Sequence, residues 1–257
     1  MAAKWTLITG ASEGLGVEFA RLAGAEGRDL ILVARQAAKM EALAEDLRAR
    51  HKIAVEVWPT DLRDPEAVET LWRKLALRRH IDVLVNNAGL GYNGRFDAAD
   101  FDREMSSIMV NVAALTILMK RAVHHMQTQG GGRILNVAST AAFMPGPNMA
   151  VYHATKAYVL SLSEAVAEEL AGGTVTVTAF CPGATATNFA RDAGMEDIRL
   201  FKAMAVPSAR RVARAGWKAM KSGKRIRVPG LMNKLFAFGP RLAPRAVVTR
   251  MAALFLK

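Results

Sequence analysis

Tyr152 and Lys156 stand four residues apart, and Ser139 lies thirteen residues before the tyrosine. On a helix, residues at i and i+4 share a face, so this phenol and ammonium would point to one side. A free tyrosine has a pKa of about 10, and a neighbouring cation favours its ionised form. Lowering that value by about 3 units corresponds to about 4 kcal/mol of preferential stabilisation of the phenolate. A tyrosine so tuned can give a proton to a ketone, or take one from an alcohol, near neutral pH. Helices also carry Tyr-x-x-x-Lys pairs by chance. The surrounding elements must decide what this pair means.

Those elements follow a regular alternation. Apolar runs of strand length occur at 5–9, 30–34, 53–57, 81–85, 133–137 and 175–180, with a weaker seventh at 225–228. Helical patterns fill the intervals 15–26, 36–50, 65–78, 101–128, 149–171 and 207–221. Asp64-Pro65-Glu66 is a helix start, with a capping side chain, a first-turn proline and an acid near the positive end of the dipole. Apolar strands alternating with helices predict an α/β fold, a doubly wound Rossmann-type three-layer arrangement around a seven-stranded parallel sheet. Residues 1–228 read as that domain and 229–257 as a basic amphipathic tail, packed on it or extending from it.

Composition narrows the class further. The chain has 257 residues, of which 51% are hydrophobic and only 7% aromatic, which suits a core of Ala, Val and Leu. No uninterrupted apolar run approaches the length of about 18 residues that would indicate a membrane-crossing helix. The start, Met1-Ala2-Ala3-Lys4, passes straight into an apolar strand, so no signal peptide is expected. The single cysteine, Cys181, leaves no internal disulfide and fits a reducing compartment, so a cytoplasmic protein is expected. The five histidines lack ligand spacing, and adjacent His124 and His125 cannot share a helical face, so no metal site is expected. The net charge of +12 is uneven: fifteen Lys and Arg, and no acid, lie between Ile198 and Lys257. The remaining body carries 20 basic and 23 acidic residues and is nearly neutral.

A second constellation follows the first strand: Thr9-Gly10-Ala11-Ser12-Glu13-Gly14-Leu15-Gly16, then a helix. Glycines there let the backbone turn sharply and approach a pyrophosphate, with the helix N-terminus supplying donors. The second strand ends at Ala34-Arg35. A carboxylate at this point would bind the ribose hydroxyls of NAD, whereas Arg35 offers a planar fork suited to a 2′-phosphate. NADP(H) is therefore favoured and NAD(H) remains an alternative. Glu13 argues the other way unless it faces solvent or pairs with Arg35, and Arg35 also reads as a solvated helix-start residue.

Taken in order, these motifs resemble the short-chain dehydrogenase/reductase family from Thr9 to about Thr187. Thr9-Gly10-x-x-x-Gly14-x-Gly16 is similar to its cofactor loop, and Asp61 in Thr60-Asp61-Leu62 to its adenine-contacting acid. Asn86-Asn87-Ala88-Gly89 matches the motif after the fourth strand. Asn111, Ser139, Tyr152 and Lys156 match its catalytic tetrad. Pro182-Gly183-Ala184-Thr185-Ala186-Thr187 matches the segment that holds the nicotinamide carboxamide. The resemblance implies a cofactor site of Gly10, Ser12, Gly14, Leu15, Gly16, Arg35, Asp61, Leu62, Asn87, Ala88, Gly89, Tyr152, Lys156, Pro182, Gly183, Thr185 and Thr187. It also implies that Tyr152 is the proton donor or acceptor, with its pKa lowered by Lys156, and that Ser139 binds the substrate oxygen. Asn111 resembles the residue that bends its helix and anchors a water in a proton relay. His153, adjacent to Tyr152, points about 100° away on a helix and is not expected on the catalytic face.

In this family the substrate pocket is lined by the loops after the fourth strand and after Ser139 and by a lid from Asn188 to about Val206. Phe143, Met144, Met149, Phe189, Met195 and Phe201 would give it adaptable apolar walls, favouring a hydrophobic ketone or 3-oxoacyl chain over a sugar. The C-terminal part resembles a subset related to 3-oxoacyl and steroid-type ketone reductases. There, apolar residues alternate with Lys234, Arg241, Arg245, Arg250 and Lys257, and Pro240 and Pro244 divide the tail into short helices. An anionic lipid surface, a subunit interface or flap over the pocket, and nucleic acid compete as its partner; nucleic acid is disfavoured because no stacking platform accompanies the charge. The resemblance implies a homodimer or homotetramer through helices 101–128 and 149–171. The resulting expectation is an oxidoreductase moving a hydride between NADP(H) and an apolar carbonyl or secondary alcohol. The alternative is a catalytically silent NADP(H)-binding regulatory or membrane-surface protein of the same fold.

Overall fold

A computed structural model describes residues 4–194 and 206–255. Seven parallel strands form one sheet: β1 (Lys4–Thr9), β2 (Asp29–Ala34), β3 (Val55–Pro59), β4 (His80–Asn86), β5 (Gly132–Val137), β6 (Val175–Phe180) and β7 (Ile226–Arg227). Their spatial order is β3-β2-β1-β4-β5-β6-β7. The winding direction reverses between β1 and β4, and a crevice opens beyond the C-terminal ends of strands at such a switch point.

Successive side chains on a strand face opposite layers, so a strand covered on both sides must be apolar throughout. Leu7 and Ile8 show this directly: both are fully buried, one in each layer. The Leu7 layer includes α3 (Pro65–Ala76), α5 (Leu115–Thr128) and α6 (Ala150–Glu169). The Ile8 layer includes α1 (Gly14–Ala25), α2 (Ala37–His51) and α8 (Ala209–Lys221). Between them, α4 (Phe101–Ile108) continues through a π-helical segment (Met109–Ala114) into α5, and α7 (Phe189–Asp192) is a single turn. Two C-terminal helices, α9 (Leu231–Phe238) and α10 (Arg245–Phe255), flank a short 3-10 turn at Gly239–Arg241.

Local chemistry sets the boundaries. The Asp64 carboxylate accepts from the Glu66 N–H at 2.9 Å and caps α3 ahead of Pro65, as its sequence predicts. β3 begins two residues later than the apolar run at 53–57. Lys52 closes α2 in the left-handed region (φ 57°), and the Asp29 carboxylate takes the Ala54 N–H at 2.8 Å, so that N–H bonds to a side chain. The helix expected over 101–128, with the bend at Asn111 that the resemblance implies, carries a π segment at that point, a distortion that frequently marks functional positions. This stretch also has the length and hydropathy of a membrane-crossing helix, yet 44% of its most apolar window is buried inside the fold.

Candidate active site

The glycine loop is fastened to the end of β4 by the residues that surround it. Thr9 Oγ1 accepts from the backbone N–H groups of Asn87 and Ala88, each at 3.0 Å. The Asn87 side chain donates to the carbonyls of Thr9 at 2.9 Å and Gly10 at 3.2 Å. Gly10 has φ +65°, and a Cβ there would lie 2.8 Å from the Asn87 amide nitrogen and 2.9 Å from Ala88 Cα. A Cβ on Gly16 would overlap the Gly10 carbonyl. Larger residues at either position would force the loop apart.

Glu13 is part-exposed and does not pair with Arg35. It pairs with Lys39, and its carboxylate accepts from the Asn188 amide at 2.7 Å. The hydrogen bonds from Lys39 and then Asn188 hold its carboxyl below the usual range. The charge that would oppose a 2′-phosphate is thereby partly neutralised, and the glycine loop is joined to the segment after Thr187. Arg35 is exposed at the cavity rim, and its guanidinium makes no hydrogen bond among the described residues. Asp61 lies nearby, gripped by Arg63 in a bidentate pair with contacts of 3.0 Å to Oδ1 and 2.5 Å to Oδ2. That hydrogen bonding holds the Asp61 carboxyl low.

The cavity beyond these groups measures about 640 Å³. Its walls include every residue of the expected cofactor set except Gly16, which lies behind Gly10. Ser139, Tyr152 and Lys156 line it as well, whereas Asn111 sits behind the wall. Ser139 Oγ accepts from the Ala141 N–H at 3.1 Å, capping a 3-10 turn over Thr140–Phe143, and stands close enough to the Tyr152 phenol to favour its ionised form. Asn111 is fully buried in the π segment. Its amide clamps both backbone groups of Leu90, each at 2.8 Å, and donates to Thr155 Oγ1 at 2.9 Å. Gly89 separates Asn111 from Lys156: a Cβ there would come within 3.4 Å of Asn111 Oδ1 and 3.2 Å of Lys156 Nζ.

The electrostatics correct one expectation. The pair does not make a low-pKa tyrosine in this arrangement: burial pushes the Tyr152 phenol up to about 12, and Ser139 opposes it only in part. Lys156 Nζ instead donates to the Val137 carbonyl at 2.9 Å and lies 5.8 Å from the Tyr152 ring centre. Burial brings the ammonium down to about 8. Desolvation disfavours both charged forms, and no direct contact between the two heads offsets it.

Of the expected apolar lining, Met144, Met149 and Phe189 are in the wall. Phe143 is not; it packs onto the α3–α5–α6 core. Met195 and Phe201 lie outside the described residues. The Phe189 ring stands 5.4 Å from that of Tyr152 and over Gly91, where a Cβ would come within 2.8 Å of it. His153 forms part of the wall but acts on the backbone: its Nδ1 bonds the Met144 carbonyl at 2.8 Å, and its ring occupies the space above Gly146. Cys181 is a buried free thiol pushed up to about 12 by burial. Among the described residues no cluster of His, Cys, Asp and Glu is placed to hold a metal ion.

Two contributors were missed in the sequence. Thr155 relays Asn111 to α6 through its hydroxyl. Asn233, on α9, donates to the Pro229 carbonyl at 2.7 Å and fills the position a side chain on Gly183 would take. The one signal for Asn233 was its place four residues after Pro229-Gly230. It seats the C-terminal helices on the Pro182-Gly183 loop, and Leu235, Phe236, Pro240, Val248 and Met251 complete the far end of the cavity.

Known proteins share this geometry. A family model described as short chain dehydrogenase matches residues 4–197. The ketoacyl reductase HetN of Nostoc sp. is 30% identical over 226 residues, covering 86% of this chain and 77% of its own length. A short-chain dehydrogenase from Sphingobium yanoikuyae, solved in complex with NADPH, superposes with a TM-score of 0.84 at 30% identity, covering 95% of this chain and 94% of that one. The bulky-bulky ketone specific alcohol dehydrogenase from Comamonas testosteroni gives 0.80 at 28% identity, covering 94% of each chain. With its seven-stranded sheet, glycine loop and Ser-Tyr-Lys wall, the chain belongs to the short-chain dehydrogenase family of oxidoreductases.

Proposed function

We propose that the protein is an NADP(H)-dependent reductase of bulky apolar ketones, with 3-oxoacyl-like and steroid-like compounds as the substrate class. One observation carries the reading. Ser139 and Tyr152 together line a cavity with a glycine-turn polar end and an apolar end built by α7, α9 and α10. The turn through Gly10, Gly14 and Gly16 suits a pyrophosphate, since a Cβ at any of the three would crowd neighbouring protein atoms and force the turn open, and Gly10 and Gly14 line the cavity. Arg35, unengaged at the rim, suits a 2′-phosphate, and the NADPH complex of the Sphingobium relative supports the same cofactor.

The hydride is the chemistry that NADPH supplies when bound. The remaining work falls to this chain. Ser139 Oγ–H donates to the carbonyl oxygen and stabilises the charge developing there. Tyr152 gives its phenolic proton to the same oxygen, so that the carbonyl becomes a secondary alcohol. A phenol pushed up to about 12 carries its proton at neutral pH, the form needed to act as the acid. Lys156 and Tyr152 would hold the nicotinamide ribose, and Pro182, Gly183, Thr185 and Thr187 its carboxamide. Asn111 holds Leu90, and with it the loop behind Lys156. Met144, Met149 and Phe189 exclude water around the reacting carbon.

Residues 1–228 would form the catalytic unit and 229–257 the appended wall of its substrate end. Assembly as a homodimer or homotetramer through α5 and α6, and a cytoplasmic location, belong to the same reading. NADPH oxidation against aromatic, steroid-like and 3-oxoacyl ketones, with ketoses as controls, tests it. Tyr152→Phe should lower turnover by about 10³-fold while NADPH still binds, within the range general-acid catalysis supplies. Wild-type protein that binds NADPH but reduces no ketone would leave the silent binding protein as the better account.

A further inference from the structure

The apolar wall of the cavity is also an apolar surface. On α9, Leu231, Leu235 and Phe238 recur at i, i+4 and i+7 and are 83, 60 and 53% exposed. On α10, Val247, Met251 and Leu254 repeat that spacing and are 45, 52 and 60% exposed. Leu242, between the helices, is 75% exposed. Each helix is therefore amphipathic in the inverted sense, with its stripe turned away from the core. The inner faces are small or already seated: Ala237, Val248 and Ala252 are buried, and Asn233 is bonded to Pro229. Among the described residues, most of the exposed large apolar side chains lie in this one segment.

Lys234, Arg241, Arg245 and Arg250 stand on the same two-helix unit and are exposed or half-buried. From Val206 to Phe255 there is no carboxylate at all. Apolar stripes flanked by cations, without acids, are the pattern of helices that lie in an anionic bilayer surface. We propose that α9 and α10 form a docking face for an anionic lipid bilayer. A second copy of the chain fits less well. Isologous pairing would set Arg241, Arg245 and Arg250 against the same cations with no acid on the face to answer them. Leu235 and Met251 belong to both the exposed stripe and the cavity wall, so the docked face borders the cavity mouth. If the apolar-ketone reading above is right, a substrate dissolved in the bilayer meets the site without crossing water. The docking itself rests only on the surface.

Sedimentation with vesicles tests the face without substrate or turnover, so its failure is separate from failure of the reductase assay. Vesicles of phosphatidylcholine and phosphatidylglycerol in equal parts should bind the full chain at least ~10-fold better than phosphatidylcholine alone, and salt should weaken the binding. Arg241→Gln, Arg245→Gln and Arg250→Gln together should weaken it by about 100-fold, at about 1 kcal/mol for each cation near the surface. Leu231→Ser, Leu242→Ser and Leu254→Ser, none of which lines the cavity, should abolish it while the melting temperature and NADPH binding persist. Folded wild type that ignores anionic vesicles at low salt would overturn the proposal. So would a leucine triple variant whose only change is a smaller mass in solution, which would make the face a contact between copies.

Discussion

At the glycine-loop end of the cavity, backbone packs against backbone: Gly10 against Ala88, Gly16 against Gly10, with Thr9 and Asn87 taking up the strand-end N–H and C=O groups. At the C-terminal end, short helices hold the wall with one side-chain amide, Asn233, and a few small buried residues. Gly16 has no room for a methyl group, whereas Gly239 has nothing within 4 Å of where a Cβ would stand. The proposed pyrophosphate has one shape, and the turn beside it is fixed by sterics. The proposed apolar substrate asks only for adaptable surface, and short helices can supply that.

The contrast can be broken by matched substitutions. The largest effect is expected for Gly16→Ala, whose added methyl should displace Gly10 and cost about 3 kcal/mol, through stability, NADPH affinity or both. Gly239→Ala should change melting temperature and NADPH affinity hardly at all, and calorimetry with titration of NADPH reads both. Similar losses in the two variants would erase the distinction between the ends. Next comes Arg35→Ala, which should weaken NADPH by about 10-fold or more and leave NADH unchanged, as expected for a charge-assisted contact to phosphate. Equal effects on both dinucleotides would remove Arg35 from the phosphate site.

The smallest effect is a pH dependence located where the two ends meet. Lys156 has a folded pKa of about 8 against an ordinary 10.5, so the fold disfavours its ammonium. Between those values the unfolded chain binds more protons, and the folded state gains stability as pH rises from about 8 towards 10.5. Tyr152, raised to about 12 from 10, works in the opposite direction but only above pH 10. The melting temperature of the wild type relative to Lys156→Met should therefore climb from pH 7 to pH 9.5. A constant difference would mean that the lysine head is not desolvated.

The fold was legible because a parallel strand buried on both faces must be apolar along its length, and six of the seven runs could be read on that basis. β7, two residues long, gave only a faint signal. The glycine loop was legible from residue type and spacing, whereas the Asn-Ser-Tyr-Lys set came from the family resemblance. The π form of the segment was not legible, since Met109–Ala114 reads as ordinary helix and the Leu90 backbone that Asn111 bonds lies on another element. The partner of Glu13 was also hidden, because Lys39 and Asn188 lie on other elements.

Sequence by itself determined the order of layers, the place of the phosphate-sized turn and the identity of the groups that can move a proton. These depend on local periodicity, on which positions lack a Cβ and on which side chains titrate. Tertiary structure alone decided the state of those groups. It turned Lys156 to Val137 and not to the phenol, raised Tyr152 by burial, paired Glu13 with Lys39 and folded a basic tail into a wall whose outer side is apolar. Desolvation and distant partners set charge and exposure, and neither is a property of a residue and its neighbours in the chain.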